Sequence, residues 1–217
     1  AFNLAALPAS VATAALAEVG PVHLACGADV ENRGSQLAYT PGPLNIPARP
    51  VLPLDPALSA SLLALHAFAG GSLTLKGRWF THLPESREAE QLLSWAGLSL
   101  KCLDEAITVE ADQAPFAMPL QCNDLTPELG PLFLVLAARQ QALAGGAPTL
   151  PCPTPFPADE MENVLAQDFF ERIGFNYADG QVTLSEQNGQ SEAPAFSAWT
   201  SPDAHWGMAF ALAAFLR

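Results

Sequence analysis

Three times along this chain a proline opens a stretch that is apolar on nearly every side. Asp55-Pro56 precedes 57–69, Thr126-Pro127 precedes 132–143, and Ser201-Pro202-Asp203 precedes 206–216, with the prolines at nearly equal intervals. Proline suits the first helical position, where its missing N–H would have no partner anyway, and Ser201 and Asp203 add a capping hydroxyl and a first-turn negative charge. A helix without a polar face must be buried all round. Three of them in one short chain predict a shared core of central helices. The second has a further proline, Pro131, which would break a helix begun at 127, so its start is expected at 130–131.

What lies between these helices repeats as well. In 54–111, Gly70-Gly71 closes the first helix, and 72–76 reads as a strand. A second helix over 84–96 places Ala89, Leu92, Leu93 and Ala96 on one stripe, with Arg87, Glu88 and Glu90 facing away. Gly97 and a hairpin, 98–102 with 106–110, complete this unit. The stretch 120–186 has the same order: a helix, Gly145-Gly146, a strand over 147–150, and a helix from Pro157 with Met161, Val164, Leu165, Phe169 and Ile173 as its stripe. Gly174 and a hairpin, 175–177 with 181–185 around Asp179-Gly180, close it. A partial third unit, 194–217, holds a strand over 195–199 and the helix 202–216. Residues 1–49 read as the end of a preceding unit, with a helix over 8–19 and strands over 22–26 and 36–39, and the proline-rich 41–53 as a linker. The expected fold is therefore α/β in repeated helix-strand-helix-strand-strand units, with helices central and sheets outside.

Half the residues are hydrophobic and 14% are charged, which is a globular composition. No apolar run is long enough to span a bilayer, and 1–20 lacks the basic start of a signal peptide. A net charge of −13 disfavours nucleic acid and anionic membranes as partners. Cys26, Cys102, Cys122 and Cys152 are widely spaced, as expected of reduced thiols in the cytoplasm, and the four histidines are scattered, so neither a metal site nor a cofactor is expected.

Four stretches carry a family resemblance. Leu54-Asp55-Pro56-Ala57-Leu58-Ser59-Ala60-Ser61 is similar to a Gly-Asp-x-Ser-Ser-Ala-Ser segment, and 69–77 to a Gly-Gly-x-Val-x-Val-x-Gly turn and strand. Leu125-Thr126-Pro127-Glu128 stands where a Pro-Asp pair would be, and 203–210 is similar to Asp-His-Arg-Met-Ala-Met-x-Phe. Taken together from 50 to 217, they resemble the enolpyruvyltransferases of the EPSP synthase (3-phosphoshikimate 1-carboxyvinyltransferase) family. The resemblance implies an inside-out α/β barrel lobe made of three units and working with a second such lobe. It also implies enolpyruvyl transfer from phosphoenolpyruvate to a phosphorylated shikimate-type acceptor in aromatic amino acid biosynthesis.

Carried over residue by residue, the resemblance makes Glu128 the catalytic acid/base and assigns substrate binding to Ser59, Ser61, Asp203 and His205. Each also has a plain structural reading: Glu128 and Asp203 as first-turn acids, the serines as partners of nearby backbone. The pattern departs where positive charge is needed. Two phosphorylated substrates call for guanidinium and ammonium groups. The family's Lys-Glu-x-Asp-Arg falls on 158–163, which has no base, and its Asp-His-Arg becomes Asp203-Ala204-His205. Two functions stay open: a transferase lobe, or a domain that keeps the fold without the chemistry and serves as a binding or scaffolding module.

Overall fold

In a computed structural model of the chain, the described residues are 2–3, 29–33, 36–40, 48, 52–81, 83–111, 125–145, 150–156, 159–185 and 199–216. The helix expected over 8–19, the strand over 22–26, and positions 147–149, 157–158 and 195–198 lie outside them.

The protein is a mixed α/β chain with three-stranded antiparallel sheets. The first comprises β1 (Phe2–Asn3), β2 (Asp29–Arg33) and β3 (Gln36–Thr40). The unit that follows runs α1 (Pro56–Ala69), β4 (Thr74–Lys76), α2 (Pro84–Trp95), β5 (Leu98–Leu103) and β6 (Ala106–Ala111). The next opens with a 3₁₀ turn, Pro127–Leu129, which leads into α3 (Gly130–Leu143) as Pro131 predicts. It continues with β7 (Leu150–Pro151), α4 (Glu160–Ile173), β8 (Phe175–Ala178) and β9 (Gln181–Leu184). Last comes α5 (Ala204–Ala213) with a 3₁₀ turn, Ala214–Leu216. All three sheets share one strand order: the third strand lies between the first and the second. Asp179 and Gly180 both have positive φ (51° and 67°), the backbone a two-residue hairpin turn requires.

The three all-apolar helices pack together. α5 lies against both α1 and α3, while β6 covers α1 and β9 covers α3. α1 and α3 run in the same direction. Their N-terminal ends line one cleft, and towards their C-terminal ends Arg139 Nη2 donates to the Ala67 carbonyl at 2.6 Å, its guanidinium 5.5 Å from the Phe68 ring centroid. Burial pulls the Arg139 pKa below its ordinary value. Between the layers lie Leu63, Leu92, Leu93, Ile107 and Phe133, the last stacked on Trp95 at 5.6 Å. Among the described residues no sheet closes on itself.

Several expectations need correction. Only α3 is buried around its circumference; α1 and α5 with its terminal turn each keep one partly wet stripe, on which Leu62 is 39% and Phe215 51% exposed. The C-terminal helix starts at 204, not 202. Asp203 is its N-cap, accepting from Trp206 N at 2.9 Å, while the Ser201 hydroxyl donates to the Asp203 carbonyl. The stripe assigned to α4 holds in part: Phe169 is buried and Leu165 and Ile173 pack against the core, but Met161 and Val164 are 75% and 63% exposed, and Ala166 and Phe170 are buried in their place. Phe170 joins Phe169 in the interior, its ring edge-on to Phe169 and 4.9 Å from the Tyr177 ring. Finally, Glu88 and Glu90 do not simply face solvent. Glu88 Oε2 accepts from Thr126 N and Oγ1, and Glu90 Oε1 accepts from Trp79 Nε1.

Candidate functional site

A cleft of about 480 Å³ opens where the N-terminal ends of α1 and of the 3₁₀ turn before α3 meet the start of α2. Local chemistry fixes each wall. Asp55 caps α1 by accepting from Leu58 N at 2.8 Å. Pro53 and Leu54 are pinned to the edge of the β4 sheet, since Leu54 N donates to Arg78 O at 3.0 Å and Arg78 N to Leu52 O at 2.9 Å. Gly77 permits that approach: its φ is +149°, and a β-carbon there would stand 2.6 Å from Leu54 Cγ. On the other side, the paired hydrogen bonds from Thr126 to Glu88, at 2.8 and 2.6 Å, tie the entry of α3 to α2. Phe80, Leu83 and Glu85 complete the lining.

Three acidic residues, Asp55, Glu85 and Glu128, thus line a common space whose remaining walls are largely proline, leucine, alanine and phenylalanine. Each acid stands at the start of a helix, where unpaired backbone N–H groups favour negative charge. No lysine, arginine or histidine is among the described residues that line the cleft. The positive ends of the helices are already matched by protein carboxylates, and an incoming phosphate would meet like charge.

Of the residues the sequence singles out, Glu128 alone lines this cleft. Ser59 and Ser61 are buried within α1, and the Ser61 hydroxyl donates to the Ala57 carbonyl at 3.0 Å. Asp203 and His205 sit together at the start of α5, Nδ1 of His205 being 3.7 Å from Asp203 Oδ1. In the stretch aligned with the basic segment of the family, Asp159 caps α4 through Met161 N and Glu162 N, and Glu162 Oε2 accepts from Trp206 Nε1 at 2.9 Å. Glu162 is therefore a link between α4 and α5. Sequence reasoning missed Asp55 and Glu85 as site residues. The signal was present: Asp55, Glu85 and Glu128 each adjoin a proline that opens a helix.

Among the described residues, no three His, Cys, Asp or Glu side chains form a group able to hold a metal ion, and no helix is long and apolar enough to cross a membrane. No model of a protein family matches the sequence, and no curated protein matches it either.

Proposed function

We propose that this chain is a lobe of the enolpyruvyltransferase kind that binds a ligand without catalysing transfer. In this reading, units 54–111, 120–186 and the partial unit 194–217 form an inside-out α/β lobe over 50–217, and 1–49 belongs to a neighbouring unit. Support comes from the repeated element order, the shared strand order and the packing of α1, α3 and α5 against one another. The wide spacing of the four cysteines, with no Cys-x-x-Cys pair, favours the cytoplasm as its compartment.

One observation carries the absence of transfer: the cleft at the helix N-termini presents Asp55, Glu85 and Glu128 and no basic side chain among its described lining. Enolpyruvyl transfer brings two phosphorylated, carboxylated molecules together and needs positive groups to offset their charge. Glu128 has no basic side chain opposite it in that lining and cannot supply this. Acids on an apolar frame suit the opposite charge, so the ligand class we assign is a small organic ammonium whose hydrocarbon part lies against Leu83, Leu129 and Phe80. The purified chain should release no inorganic phosphate from phosphoenolpyruvate in the presence of shikimate 3-phosphate. Release above background that vanishes in Glu128→Gln would replace this reading with the transferase one.

A further inference from the structure

The entry of α3 is held by a residue of α2 and not by a cap of its own. Thr126 stands at the N-cap position of the turn Pro127–Leu129, where a threonine hydroxyl ordinarily accepts from a backbone N–H two or three residues on. Here the side chain makes no such bond. Its hydroxyl and its N–H both donate to Glu88 Oε2, at 2.6 and 2.8 Å, across 38 residues of chain. The proline after it keeps Thr126 out of the helical region (φ −57°, ψ 131°) but does not choose the direction in which the turn leaves. Within the turn, Leu129 N donates to the Thr126 carbonyl at 2.9 Å and Gly130 N to the Pro127 carbonyl. Thr126 therefore carries the turn, and Glu128 within it, wherever Glu88 holds it.

Glu88 lies three residues beyond Glu85 on α2, so the two share a helix face. Glu85 lines the cleft and Glu88 does not, while Thr126, Glu128 and Leu129 form the wall that Glu88 grips. α2 is a firm post for this grip, because Ala89, Leu92 and Leu93 anchor it in the core with no exposure at all. We propose that Glu88 is a positioning residue of the cleft: by accepting twice from Thr126 it fixes where Glu128 stands relative to Glu85. It thereby sets the affinity for an organic ammonium without lining the space the ligand enters. The proposal rests on the reading of the cleft as an ammonium site. It assigns to Glu88 the role of an acceptor rather than that of a fourth charge, since both donors are neutral and a glutamine carbonyl oxygen accepts from them in the same geometry.

Benzylammonium titrated by NMR into the full chain separates position from charge. Glu88→Ala should weaken binding at least about threefold, within the range of one exposed ion pair, whereas Glu88→Gln should stay within about twofold of the wild type. In a Glu128→Gln background, Glu88→Ala should add less than about 1.5-fold, because the carboxylate it positions is gone. Equal losses in Glu88→Ala and Glu88→Gln, or additive losses in the double variant, would overturn the proposal. Amide exchange gives a readout that needs no ligand. The Leu129 amide should exchange at least about tenfold faster in Glu88→Ala, keep its wild-type rate in Glu88→Gln, and leave the protection of α4 unchanged. A Leu129 amide that does not respond, or a loss of protection shared equally by α4, would count against the proposal too. If the wild type binds no benzylammonium while Leu129 responds as expected, the ammonium reading falls and the hold of Glu88 on α3 stands, so the two failures are distinguishable.

Discussion

α3 and α5 are written in nearly the same apolar alphabet, yet the fold treats them differently. Every residue from Leu129 to Ala138 is buried, whichever side of α3 it occupies. On α5 only Trp206, Ala209, Leu212 and Ala213 are, and the opposite stripe is open. An all-round apolar helix states how much burial it requires; its place in the assembly decides how much it receives. α3 is flanked by α1, α4, α5 and β9, whereas α5 packs on α1 and α3 and meets α4 through Trp206 and Phe210. The shortfall on α5 follows from its described neighbours lying on one side of it.

The largest expected effect breaks the comparison at its centre. Phe133→Ala, which empties a fully buried site stacked on Trp95, should cost about 3–5 kcal/mol in chemical denaturation. Phe215→Ala, on the open stripe and 51% exposed, should stay within about 0.5 kcal/mol. Next is Gly130→Ala, since a β-carbon there would overlap the Phe156 ring, which itself packs 6.0 Å from Trp206. Moving that ring should cost about 1–3 kcal/mol, seen as a lower midpoint at unchanged denaturant slope. Losing the cap of α5 in Asp203→Ala should cost about 1 kcal/mol, as measured by thermal unfolding.

The smallest effect is chemical. Partial burial and, secondarily, the charge of Glu90 push the Cys102 thiol above its ordinary pKa. A group whose folded pKa is raised keeps its full contribution to stability below its unfolded pKa and loses it as pH rises through the folded value. Alkylation of Cys102, followed site by site by mass spectrometry, should therefore have its midpoint above that of an unstructured cysteine, and Glu90→Gln should lower that midpoint.

The repeat was legible because its marks are local: proline at helix starts, glycine at helix ends and paired strands around a turn. Gly97, Gly145 and Gly174 take the positive φ that closes their helices, as the sequence implies. What stayed hidden depends on rotation and on partners far along the chain. Periodicity gives α4 an apolar stripe through Leu165, Phe169 and Ile173 but does not say that Ala166 and Phe170, rather than Met161 and Val164, join it in the interior. Nor does it show Glu162 reaching Trp206, 44 residues away. The same holds for the site. Glu128 was readable as an acid at a helix start, but its company, Asp55 and Glu85 in place of a basic residue, exists only once three helix ends converge. Ser59, Ser61, Asp203 and His205 looked suitable by type, and packing placed them elsewhere.

The claim that the cleft is built against anions is tested most directly by NMR, following the amides of Leu58, Thr126 and Leu129. Benzylammonium and inorganic phosphate would each be titrated into the wild type and Glu128→Gln. Benzylammonium should shift these amides and bind more weakly to the variant. Phosphate should bind the wild type no tighter than about 1 mM, about −4 kcal/mol, and tighten in the variant as one repelling carboxylate is lost. Micromolar phosphate binding by the wild type, weakened rather than strengthened by Glu128→Gln, would contradict the account.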